Sequence, residues 1–158
     1  MTRFLLALLA VPALVAATPA GAQADPMAGM HHAFPATLED WSKGAQRLDG
    51  LGNFHRPAGI ASAEAQGYFD QGMRLLWAFN HDEATRSFAR AAQIDPGCAM
   101  CFWGVALTLG PNYNMPAMAD VRARVGWQAL QRAQALAASA APVDQALIAA
   151  LARWFDAD

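Results

Sequence analysis

Residues 68–96 read YFDQGMRLLWAFNHDEATRSFARAAQIDP, and the spacing within that stretch decides the fold. Tyr68, Gly72, Leu75, Ala84, Phe88, Ala91 and Pro96 fall where a helix–turn–helix repeat of about 34 residues places an aromatic, a small residue, a large apolar residue, a small residue, an aromatic, a small residue and a stop. The requirement is steric. Gly72 and Ala84 are expected to face each other at the closest approach of two antiparallel helices, with Tyr68 and Phe88 filling the wider gaps around that contact. Ser62 is placed to cap the first helix, which runs to about Phe79. Asn80, followed three residues later by Glu83, opens the second, which ends before Asp95 and Pro96.

The pattern continues outward. A further helix, from about Pro96 to Leu109, carries Phe102 thirty-four residues after Tyr68, the offset of a second repeat. Gly110–Pro116 is a turn-rich insertion, and a long helix is expected from about Met118 to Ala138. Pro142 suits the first position of a last helix, whose apolar stripe holds Val143, Ala146, Leu147, Ala150, Leu151, Trp154 and Phe155. Upstream, Thr37 to Asp40 resembles a capping box for a short helix through Trp41 and Leu48, and Asp49–Ile60 reads as an irregular connector. The predicted class is all-α, with helical hairpin repeats over 61–158 and a flexible lead-in with one short helix and connector over 25–60. An end helix finishing on Trp-Phe, without a polar outer face, leads us to expect the chain to be the start of a longer array.

Residues 1–24 read as a signal peptide. Arg3 is followed by an apolar run from Phe4 to Ala17, too short to span a bilayer, and Ala22-Gln23-Ala24 has the form of a cleavage site. No cysteine follows the cut, so no lipid anchor is expected. The mature protein is expected to be periplasmic or secreted, without a stable membrane anchor. The net charge is −2 and no basic stripe exists, which argues against nucleic-acid binding. Charged residues are sparse at 15%, as suits closely packed helices. There is no G-x-S-x-G, no H-E-x-x-H and no phosphate-binding glycine loop, so we expect a binding protein and not an enzyme.

Four groups of residues are candidates for function. The concave face of such an array is lined by first helices, here Gln66, Phe69, Asp70, Met73, Leu76 and Trp77. A groove that grips a peptide carboxylate needs Lys, Arg and Asn at such positions. This mostly apolar face suits an apolar or helical segment of another protein, unless the chain covers it with Trp41, Leu51 or Phe54. Cys98 and Cys101 form a CxxC on a helix's first turn, able to close a disulfide, remain a packed pair, or serve metal or thiol-redox chemistry. Phe102 stands where haem attachment requires histidine, and no strand pattern supports a thioredoxin-like site. Met27, Met30, His31 and His32 carry the thioether and imidazole groups that suit copper, the one cofactor considered. His81 at the repeat's internal turn reads as a helix-start residue or a ligand, and His55 has no acid or nucleophile beside it in sequence.

Residues 49–155 resemble a family of secreted bacterial tetratricopeptide-repeat proteins of poorly defined function. The most specific pieces are FNHDEA (Phe79–Ala84), DPGCAMCFWG (Asp95–Gly104) and the GPNYN that begins at Gly110. The resemblance implies further repeats towards the C-terminus; the groove itself leads us to expect a scaffold or adaptor that holds a segment of another protein. The resemblance assigns no catalytic residue, and relatives often lack the second cysteine. The alternative expectation is a periplasmic copper or thiol-redox accessory protein built on Cys98 and Cys101.

Overall fold

Four helices begin where a side chain accepts from an otherwise unpaired backbone N–H. Thr37 accepts from Asp40 at 3.1 Å, Ser62 from Ala65 at 3.3 Å, Asn80 from Glu83 at 3.4 Å, and the Cys98 sulfur from Cys101 at 3.0 Å. The computed structural model describes residues 34–113 and 118–155. The helices are α1 (Leu38–Lys43), α2 (Ala63–Trp77), α3 (His81–Ile94), α4 (Ala99–Leu109), α5 (Asp120–Leu136) and α6 (Pro142–Phe155), with a short 3-10 turn at Ala137–Ser139. The architecture is all-α, with antiparallel neighbours and no sheet among the described residues. Each helix from α2 to α6 packs on the next, α2 also meets α4, α4 meets α6, and α1 lies against α3. The signal peptide expected at 1–24 and the adjoining residues up to 33 lie outside the described residues.

The core is organised around Phe88. Its side chain is fully buried. A Cβ built on Gly72 of α2 would fall 2.7 Å from the ring, and one built on Gly104 of α4 would fall 2.5 Å from it. Real Cβ atoms do not approach so closely, so both glycines are steric requirements. The Phe69 ring flanks the same site, 5.6 Å away between centroids. This corrects the expected contact between Gly72 and Ala84: the three heavy atoms nearest a Cβ on Gly72 all belong to Phe88.

A parallel relation appears one hairpin later. Gly126, Leu130 and Ala133 of α5 repeat the intervals of Ala84, Phe88 and Ala91 and are likewise buried. A Cβ on Gly126 would meet the Leu109 Cβ at 3.3 Å. The offset is 42 residues, not 34, because the segment from Gly110 to Ala119 lengthens the connection. The α2–α3 turn is tight by contrast. Phe79 sits there at φ 60°, the one non-glycine residue with positive φ among those described, and Asn80 N–H bonds back to the Leu75 carbonyl at 2.9 Å.

Helix α1 is shorter than the sequence suggests, ending at Lys43 and not reaching Leu48. The reason lies in a buried amide on α2. Gln71 donates to the Gln46 carbonyl at 2.7 Å and to Ser87 at 3.0 Å, and accepts from the Leu48 N–H at 2.9 Å. That side chain takes the backbone groups a longer helix would have paired internally. Within α1, the Thr37 hydroxyl first and the Lys43 ammonium second hold the Asp40 carboxyl below its ordinary value.

Gly104→Ala is expected to lower the free energy of unfolding by about 1–3 kcal/mol through overpacking against the trapped ring. That outweighs the roughly 1 kcal/mol that alanine gains in helix propensity. Urea titration should also show that Phe88→Leu costs less in the Gly104→Ala background than alone. Strict additivity would mean that the ring and the glycine do not share this space.

Candidate functional site

The inner face of α2 is the first candidate, and its residues divide into three fates. Phe69 and Met73 are buried in the core and line no open groove. Leu76 is half-buried against that core. Gln66, Asp70 and Trp77, joined by Arg74, hold the chain's own connector, the segment between α1 and α2. Arg74 donates to the Phe54 carbonyl through Nε at 3.0 Å and through Nη2. Asp70 accepts from the Arg56 N–H at 3.2 Å, and Gln66 donates to the Arg56 carbonyl at 2.9 Å. Phe54 packs edge-on against Trp77, with centroids 4.5 Å apart.

The connector's own side chains complete the arrangement. His55 Nδ1 lies 2.7 Å from Asp70 Oδ2, so this histidine does have an acid partner, fifteen positions along the chain where no local spacing rule would find it. The Arg56 guanidinium pairs with Asp144 of α6, an almost fully buried carboxylate. Of the three residues expected to cover the face, Phe54 does so. Trp41 instead packs against α3 and α5, with the Arg86 and Arg122 guanidiniums 5.4 and 5.6 Å from its ring centre. Arg122, itself buried, also bonds Asp82 at 2.7 Å and the Thr108 carbonyl at 3.3 Å.

A second apolar face lies further along the chain. Between α4 and α6 lies an apolar cleft of about 210 Å³, lined by Trp103, Leu107, Leu147, Ala150, Leu151 and Trp154. Trp103 Nε1 donates to the Leu147 carbonyl at 3.3 Å, which orients that indole as one wall. Trp154 forms another wall and is 47% exposed. Sequence reasoning placed Leu147, Ala150, Leu151 and Trp154 on one stripe of α6 but did not pair that stripe with α4. The signal was available, because Trp103 and Leu107 lie four residues apart on α4, thirty-four positions after Phe69 and Met73.

Cys98 and Cys101 are joined in a disulfide, with Cα atoms 5.4 Å apart, and both are buried. Neither carries a free thiol or a thiolate for a metal in this state. Cys98 lines a cavity of about 240 Å³ with Pro57, Gly97, Ser139 and Asp144. Among the described residues no three His, Cys, Asp or Glu side chains cluster as a metal site would require. Met27, Met30, His31 and His32 lie outside the described residues. His81 is half-buried at the start of α3, its ring 6.3 Å from Phe79, and neither of its nitrogens has a hydrogen-bond partner. No helix among the described residues is long and apolar enough to cross a membrane.

No known protein family, curated protein or solved structure matches the chain.

The disulfide yields a direct test. A thiol reagent should label no cysteine in the folded, unreduced protein and two after reduction in denaturant. Closing so short a loop restricts the unfolded chain modestly, so replacing both cysteines with serine is expected to cost about 2 kcal/mol in urea titration. Two reactive thiols in freshly isolated folded protein would contradict the assignment.

Proposed function

We propose that this protein is an extracytoplasmic scaffold of tetratricopeptide-like repeats that binds a segment of another protein, with the α4–α6 cleft as its recognition surface. The observation that carries the reading is the contrast between two successive inner faces. Around α2 the apolar face is occupied by the connector, whereas around α4 and α6 two tryptophans and three leucines flank an open cleft. Such a surface gains from removing apolar area from water, roughly 25 cal/mol for each Å² buried, and has few polar groups to leave unpaired. It suits an apolar or helical segment. The repeat reading is supported by the recurring intervals at Ala84–Phe88–Ala91 and Gly126–Leu130–Ala133, and by Tyr68 and Phe102 both packing into the core. The compartment is supported by the buried disulfide, since such bonds persist in oxidising surroundings.

A photo-crosslinking residue at position 154 or 107 should give a discrete adduct in cells, and one at position 93, an exposed residue of α3, should give none. Trp154→Ala should weaken capture about ten-fold or more, as loss of an aromatic anchor does, with helicity unchanged by circular dichroism. Trp77→Ala should leave capture at this cleft intact. Equal adducts at all three positions would overturn the reading.

A further inference from the structure

The inner face of α2 holds the connector mainly through its main chain. Gln66, Asp70 and Arg74 are spaced four residues apart and project from one side of the helix. Four of their hydrogen bonds go to three backbone groups: two to the Phe54 carbonyl, one from the Arg56 N–H and one to the Arg56 carbonyl. Such a ladder reads an extended main chain whatever its sequence. Side chains add selectivity: Asp70 Oδ2 meets the His55 ring at 2.7 Å, and two further contacts matter more. Trp77 takes an aromatic ring, as it now takes Phe54, and the buried Asp144 carboxylate takes a guanidinium, as it now takes Arg56.

The connector is held by side chains: among the described residues, no backbone–backbone hydrogen bond involves residues 49–60. Most of the segment is exposed or half-buried, Ala58 being its one buried residue, and the His55 side chain is 57% exposed. Gly52 and Gly59 flank it at φ 78° and 65°, with no atom within 4 Å of a Cβ placed on either. Those positions can swing without steric opposition. Trp77 remains 58% exposed even with Phe54 against it, so an aromatic ring can make contact before the strap has gone.

We propose that the α2 face binds an extended peptide carrying an aromatic residue followed two positions later by arginine, and that residues 53–57 autoinhibit the site by occupying it. The exchange is thermodynamic. A tethered segment competes at millimolar effective concentration, so a free peptide binds weakly until the strap is loosened. This surface stands apart from the α4–α6 cleft, and its test does not depend on whether that cleft takes a partner.

The probe is a labelled, end-capped peptide LGNFHRPA, the sequence of residues 51–58, added to the full chain and followed by anisotropy. The Phe54→Ala/Arg56→Ala protein, whose ladder is untouched, should bind the peptide about ten-fold more tightly than wild type, or better. A scrambled peptide should not bind. Replacing arginine by alanine in the peptide should weaken binding to this variant but not to one that also carries Asp144→Asn. Failure of the folded double variant to bind, or equal binding of the scrambled peptide, overturns the proposal. Hydrogen exchange on the wild-type protein decides independently, even if the double variant does not fold. The Arg56 amide should exchange at least about a hundred-fold faster than the buried amides of α2, and protection equal to theirs would mean that the strap opens only on global unfolding.

Discussion

Everything in this molecule rests on one ring held between two glycines. Phe88 projects from α3 into space that Gly72 leaves on α2 and Gly104 leaves on α4. A single side chain therefore belongs to the interface within the first hairpin and to the interface with the second. Close packing of this kind tolerates neither a methyl group on the glycines nor a void in place of the ring. Because α3 is gripped from both sides, the two hairpins cannot lose their packing separately.

A second level of organisation is polar. The connector between α1 and α2 packs Leu51, Phe54, Ala58 and Ile60 on the core, and it runs over α2 in a defined course because Gln71 on one flank and Gln66, Asp70 and Arg74 on the other bond its main chain. Backbone groups that belong to no helix must find partners or water, and α2 has a polar side chain at each place where the connector needs one. This arrangement ends α1 early and occupies the face of α2 around Trp77, whereas the α4–α6 cleft is not filled by the connector.

The helices were legible in the sequence because their signals are local. Ser62, Asn80 and Pro142 mark starts within a residue, and the intervals from Tyr68 to Pro96 identify which residues meet the core. Three things were not legible, each for a physical reason. Gly72 was assigned a small-residue neighbour because spacing reveals that space is needed and not which side chain uses it. Phe69 and Met73 were placed on a groove because helical periodicity does not say whether a connector lies on top. The pairing of His55 with Asp70, and of Arg56 with Asp144, spans irregular backbone whose course no periodicity describes. The Cys98–Cys101 pair was narrowed to a few options by its spacing, and proximity in the fold then closed it as a disulfide.

The pairing of Arg56 with Asp144 joins residues 88 positions apart, in a chain whose other helix contacts are mostly between neighbours. A stacked array can in principle assemble stepwise as it emerges, each new helix docking on the last. This chain contains a clasp whose second half arrives only with α6, so Arg56 must wait for a carboxylate made 88 residues later. Completion of the face around α2 is thereby deferred until α6 has been made, a dependence that the local intervals between helices do not convey.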